Sequence, residues 1–310
     1  MTGQLPQRKR AGSLVVLGGP RSEGRVGEAK GAVFLVGAGP GDPELMTLKA
    51  LRLLQGADVV VHDRLTPQPI LDLAGPAARL IDVGKRKSRH TLPQDDINQL
   101  LVALALEGLK VVRLKGGDPF LFGRGGEELE ACRAAGVPCH VVPGVSAGLA
   151  AGAAIGAPLT HRGLAQAVTL VTGHAAAGGE PDLDWPALAK GNHTVVVYMG
   201  LSTAGAIAAR LIAAGRAGST PVAVVEGASL ESERRIVTTL SRLSEAVQGL
   251  DGPAILIIGE VAALATEQAL GAAPAVGFIP ESESPHSARP PAPGHSPSRG
   301  EGSALKVRVR

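Results

Sequence analysis

Residues 31–270 predict an α/β fold in two halves, each a sheet with helices on its faces, on three observations. Short β-branched runs alternate with Ala- and Leu-rich stretches of helical length, the pattern of largely parallel sheets with covered faces. The alternation restarts after Pro143, so two series of similar length meet near residues 143–152. The two ends, 1–30 and 271–310, do not carry the pattern, which leaves a body of two α/β domains, 31–145 and 146–270, with a cleft between them.

In the first half, 32–36, 59–61, 111–114 and 139–142 read as strands, and 43–55 and 94–106 as helices. In the second half, 167–172, 194–198, 222–225 and 255–258 read as strands and 204–214 as a helix. Aromatic residues are 2% of the chain against 45% hydrophobic, so the core must be built from Ala, Val, Leu and Ile. The 42 Gly and 23 Pro imply tight connections between short elements. Segment 1–30 is polar and Gly-rich and reads as a disordered extension. Its apolar patch is too short, and too soon interrupted by Pro20 and Arg21, for a secretory signal. Segment 271–310 contains PESESPHSARPPAPGHSPSRG, whose Pro, Ser and charge content cannot support a packed core, so disorder is expected there.

The net charge of +3 is unevenly placed. Residues 1–30 contribute +4 (six Lys/Arg, two Glu) and 271–310 contribute +2 (five Lys/Arg, three Glu), leaving the body at −3. A slightly acidic body is a poor match for a phosphate backbone, so a nucleic-acid partner is not expected. No apolar run reaches the roughly 18 residues of a membrane span. Cys132 and Cys139 are the only cysteines and have no second CxxC or His cluster near them, so neither a disulfide nor a metal site is expected, and a cytoplasmic location is.

The segment VFLVGAGPGDPELMTLKA (33–50) is strand, Gly-rich turn, then helix. Its spacing departs from a dinucleotide fingerprint: Gly37, Gly39 and Gly41 give GxGxG, position 42 is Asp, and Pro40 removes an N–H that a pyrophosphate would use; Asp63, about twenty residues on after a strand and placed as a ribose-binding acid would be, keeps the dinucleotide alternative open. The plausible use of such a loop is close backbone approach to a different ligand. A second cluster, VRLKGGDPFLFGRGGEE (112–128), places Gly116, Gly117 and Asp118 after a strand. Asp118 can accept hydrogen bonds from ribose hydroxyls, a backbone N–H or an ammonium; a tight strand-to-helix connection would explain only part of the glycine clustering. Basic residues accompany it: Lys85, Arg86, Lys87, Arg89 and His90, then Arg113, Lys115, Arg124, His161 and Arg162. Either they form a solvated surface or they suit a substrate bearing several carboxylates.

These blocks in this order, with VHDRL, VVPGVSAGLAAGAAIGAPLTHR, TGH, VVVYMG, PVAVVE and PAILIIGEV, resemble the uroporphyrinogen-III C-methyltransferases of the tetrapyrrole methylase superfamily over about 31–270. The resemblance implies two α/β domains with S-adenosylmethionine, the methyl donor, folded in the trough between them. It implies that Pro40 lies beside this cofactor, that Gly116, Gly117 and Asp118 contact its methionine portion or ribose, that Ser146 and Ala147 take the place of a Thr-Ala pair, and that Met199 and Ala228 line the adenosine pocket. It also implies methylation of uroporphyrinogen III at carbons 2 and 7, through precorrin-1 to precorrin-2, in a homodimer serving siroheme or cobalamin biosynthesis. The chain departs from the pattern at Ser146, Ala154, Gly163 and VVEGAS (224–229), which puts pocket details in question. The extension 1–30 is too short for the dehydrogenase–ferrochelatase module fused in some relatives, so methylation alone is expected.

The chemistry asks for alignment and exclusion of water rather than a protein nucleophile. Asp63, at the end of a strand, is the candidate to assist loss of the tetrapyrrole proton or to hold pyrrole N–H groups; capping a turn beside Arg64 is an equal alternative. Arg113, Lys115, Arg124, His161 and Arg162 are the candidates for acetate and propionate binding. The competing readings are a later precorrin methyltransferase and, in a different class, a nucleic-acid binder acting through the basic ends.

Overall fold

The computed structural model describes residues 31–84, 92–175 and 181–265. The expected extension 1–30, the tail 271–310 and the basic residues Lys85, Arg86, Lys87, Arg89 and His90 lie outside the described residues.

Five parallel strands make the first sheet: β1 (Ala32–Gly37), β2 (Val59–His62), β3 (Arg79–Asp82), β4 (Lys110–Lys115) and β5 (Cys139–Val142), in spatial order β3-β2-β4-β1-β5. The connections carry α1 (Leu48–Gln55), α2 (Gln68–Leu71), α3 (Gln94–Leu106) and α4 (Gly125–Ala134). Period-two alternation sends successive side chains to opposite faces, and a parallel sheet buries both. Val33, Leu35 and Val111 therefore pack on Leu101 of α3 and Cys132 of α4. Val36, Val112 and Leu114 pack on Leu54 of α1 and Ile70 of α2. The helix expected over 43–55 is in two pieces. Asp42 starts a 3-10 turn, Pro43–Leu45, by accepting from the Glu44 N–H at 2.8 Å. Thr47 then caps α1, its Oγ1 accepting from the Ala50 N–H at 3.1 Å. A capping residue needs extended backbone, so Thr47 cannot itself be helical.

The second sheet follows α5 (Ala147–Ala154). Its elements are β6 (Ala167–Thr172), α6 (Trp185–Leu188), β7 (His193–Tyr198), α7 (Ala204–Ala213), β8 (Pro221–Glu226), β9 (Arg234–Thr239), α8 (Leu243–Ala246) and β10 (Ala254–Ile258). The spatial order is β6-β7-β10-β8-β9, and only β6 and β7 run parallel. This corrects the expectation of a largely parallel sheet here. Residues 227–233 alone join β8 to β9, too short for a crossover, so the two form a hairpin. α7 and α8 cover one face of this sheet and α5 the other. Both sheets belong to one packed unit. Among the described residues no helix is long and apolar enough to cross a membrane.

Candidate functional site

A parallel sheet delivers its strand ends to one edge, where ligands of open α/β proteins bind. Because β1 lies between β4 and β5, the loops that follow these three strands sit side by side. The first two are joined backbone to backbone: the Gly117 N–H donates to the Gly39 carbonyl at 2.7 Å, and the Gly39 N–H to the Gly117 carbonyl at 3.3 Å. Asp118 ties in the third, its Oδ2 accepting from the Gly144 N–H at 3.1 Å and its Oδ1 from the Phe120 N–H at 2.8 Å. Side chains are excluded from this seam. A Cβ on Gly37 would stand 2.5 Å from the Gly144 nitrogen, and one on Gly144 would collide with the Gly117 carbonyl. Backbone obstacles cannot rotate away, which is why glycine is required there.

Groups from the second sheet meet this edge. Tyr198, the last residue of β7, holds the start of α5: its hydroxyl lies 2.7 Å from Ser146 Oγ and accepts from the Gly148 N–H at 3.0 Å. The Phe122 ring packs on Tyr198 at 5.0 Å between centroids. The Asp42 N–H donates to Ser229 Oγ at 3.1 Å, so the loop after β1 touches the β8–β9 turn. Met199 is 51% exposed, whereas Ala228 is buried in the core of the second sheet. Met199 borders a cavity of about 360 Å³ shared with Leu201, Val247, Leu250 and Pro253. A cavity of about 230 Å³ at the opposite end of β7, beside His193 and Arg216, has no lining residue in common with it. Phe122, Arg124, Met199 and Ser229 all have φ between +53° and +68°. Side chains rarely adopt that region, and such strain gathers where surrounding structure enforces it for a ligand.

The basic residues divide. Arg124, His161 and Arg162 are exposed. Arg124 forks onto Glu127 with two contacts of 2.8 Å; this hydrogen bond raises the guanidinium pKa and lowers that of the carboxyl. The His161 Nδ1 lies 2.9 Å from the Arg162 carbonyl, and His161 bridges to Ala165. Arg113 and Lys115 are only 3% and 4% exposed. The expectation that they offer free cations to a substrate does not fit this burial: β4 is an inner strand, and a cation buried there must pair inside the core. Both pair with Glu128, Arg113 Nε at 2.9 Å and Lys115 Nζ at 3.0 Å. Burial and then Arg113 lower the Lys115 pKa, against the opposing pull of Glu128. Asp63, half-buried just after β2, faces Arg113 at 3.5 Å and accepts from the Leu65 N–H at 3.1 Å, so it closes a turn as well as meeting a cation.

Glu128 and Tyr198 escaped the sequence reading. Arg113 and Lys115 two apart on one face of an inner strand were the signal for a buried carboxylate. Tyr198 left only its place as the single tyrosine.

The two sheets of this α/β protein bring glycine loops and positive-φ turns to the strand-end edge, the place where open α/β proteins bind ligands. Residues 32–244 match the Tetrapyrrole (Corrin/Porphyrin) Methylases, and the chain belongs to that family. It is 52% identical over 237 residues to a siroheme synthase of Chromobacterium violaceum, covering 76% of this chain and 50% of that protein. The chain thus spans about half the length of the curated relatives it matches. Among solved structures it is similar to a uroporphyrin-III C-methyl transferase from Thermus thermophilus complexed with S-adenyl homocysteine (45% identity, TM-score 0.66, 76% of this chain and 100% of that one). It is also similar to a cobalt precorrin-4 methyltransferase (30% identity, TM-score 0.67, 74% of this chain and 95% of that one).

Proposed function

We propose that the chain methylates uroporphyrinogen III at carbons 2 and 7, through precorrin-1 to precorrin-2, with S-adenosylmethionine as the methyl donor. The observation that carries this reading is the glycine seam joining the loops after β1, β4 and β5, in a chain that aligns with the whole of the Thermus protein. The residues present fit the donor. The seam closes backbone against backbone and so holds the loops that carry Pro40 and Gly116 side by side, and Ser146 and Ala147 open α5 next to Gly117. Met199 offers an exposed thioether edge and a neighbouring cavity for an adenine-sized group.

S-adenosylmethionine supplies an electrophilic methyl, and the electron-rich pyrrole carbon is the nucleophile. The chain's part is to align the two and exclude water, which its two halves, 31–145 and 146–270, do by closing on the ligands. Asp63 takes the proton that leaves the tetrapyrrole, or holds its pyrrole N–H groups. Arg124, His161 and Arg162 bind acetate and propionate arms, a role their exposure supports. Asp118 acts by fixing the turn that Gly116 and Gly117 need, since both its oxygens receive backbone N–H groups. Ala228 acts from behind the pocket wall. The protein works as a cytoplasmic homodimer whose product enters siroheme or cobalamin synthesis.

A second reading, methylation of a later precorrin, is favoured by the likeness to the cobalt precorrin-4 methyltransferase. The test is an anaerobic assay with uroporphyrinogen III and S-adenosylmethionine, followed by product mass. A gain of two methyl groups is expected; no gain while S-adenosylhomocysteine still binds moves the substrate to a later precorrin.

A further inference from the structure

Glu128 is fully buried, yet three donors converge on one of its oxygens. Oε1 receives Arg113 Nε at 2.9 Å, Lys115 Nζ at 3.0 Å and Gln94 Nε2 at 3.3 Å, while Oε2 has no hydrogen-bond partner. A buried carboxylate is expensive unless paired, and losing one partner of such a cluster leaves uncompensated charge inside the core. Two buried cations face this single buried anion. The second negative charge comes from Asp63, at 3.5 Å from the far nitrogen of Arg113 and with its side chain 26% exposed. The remaining terminal nitrogen of Arg113 donates to the Val61 and Leu114 carbonyls at 3.4 and 3.3 Å. The guanidinium is thereby clamped on three sides, and only its Asp63 side looks outward. Lys115, held by the same oxygen, lies under the turn that follows β4, where a Cβ on Gly123 would meet its Cε at 3.3 Å. Gln94 brings the first residue of α3 to the same point.

We infer that Glu128 is the positioning residue of the site: from inside the core it sets Arg113, and through Arg113 the Asp63 carboxylate, and it holds Lys115 beneath the 116–124 turn. The inference rests on the methyltransferase reading and adds a residue that touches neither ligand. Its lever is geometric. The Arg113 fork is rigid and planar, so an ionic contact at one edge dictates what the other edge can meet.

The test uses the full chain with E128Q, E128D and the charge-balanced double variant E128Q/K115M, which removes one anion and one cation and keeps the cluster neutral if E128Q alone fails to fold. Uroporphyrinogen III turnover is followed across pH, and S-adenosylhomocysteine affinity is measured by calorimetry. Expected is a fall in kcat of about 10- to 100-fold in E128Q or in the double variant, with an altered pH profile. Cofactor affinity and tetrapyrrole KM should stay within about threefold, and E128D should recover part of kcat. A folded variant with wild-type kcat and pH profile overturns the inference while leaving the methyltransferase reading intact. So does a loss of cofactor affinity as large as the loss of kcat, which marks a purely structural role. A wild-type chain that adds no methyl group to uroporphyrinogen III overturns the uroporphyrinogen III reading, and the positioning role in that reaction with it.

Discussion

Replacing Gly144 by alanine would drive a methyl group into the Gly117 carbonyl, an obstacle made of backbone that belongs to two loops at once. G144A should therefore lower stability by about 1–3 kcal/mol and weaken S-adenosylhomocysteine binding; urea unfolding and calorimetry on one preparation check both. Asp118→Ala frees the Gly144 and Phe120 N–H groups, and Met199→Asp adds a second carboxylate to the cavity that Asp251 already lines. Each should reduce cofactor affinity by roughly tenfold or more, and unchanged affinity in both would move the site elsewhere. Arg124→Ala and Arg162→Ala should raise tetrapyrrole KM by several-fold and leave cofactor affinity nearly alone, measured by steady-state kinetics beside calorimetry. At this scale the sequence was legible where backbone geometry is written in glycine, as at Gly117, which takes φ +68° in the turn after β4. It was illegible where function depends on what lies behind a residue. Arg113 and Lys115 look like surface cations until β4 is known to be an inner strand, and Glu128 looks like a solvated helix residue until its partners are known.

The β8–β9 hairpin shows the same division among elements. Its anchor is Glu226, nearly buried, which accepts from Arg234 and from the Asp251 and Gly252 N–H groups at 2.9 and 2.6 Å. Burial pushes its pKa up, but the hydrogen bonds from Arg234, Gly252 and Asp251 outweigh this and hold it below the ordinary carboxyl value. A carboxyl lowered in the folded state adds stability above its unfolded pKa of about 4.3, and this is lost as pH falls through the folded value. E226Q should accordingly be less stable than wild type at neutral pH, with the gap in urea midpoint shrinking below about pH 4. The long aliphatic strands and α3 were readable because period and composition agree. β3 (RLID) and β9 (RRIVTT) were not: both are outer strands, exposed along much of their length, so their polar residues hide the apolar alternation. The parallel reading of the second half failed because direction depends on connection length, and the 227–233 hairpin became evident only once β9 was placed.

For the whole molecule, the −3 body and the basic ends make separable expectations. Deleting 1–30 and 271–310 should leave methylation within about twofold of the full chain. Salt-sensitive nucleic-acid binding that vanished with those ends, together with lost turnover, would instead favour the electrostatic reading. The placement of Tyr198 has an optical consequence. The chain has one tyrosine and one tryptophan. The tryptophan, Trp185, packs against the α7 side of the second sheet, on the face away from α5. The tyrosine stands where Ser146, Gly148 and Phe122 converge. Ultraviolet difference absorbance of the unlabelled protein therefore carries two separate channels, one reporting the α7 face of the second sheet and the other the junction of β7 with the start of α5.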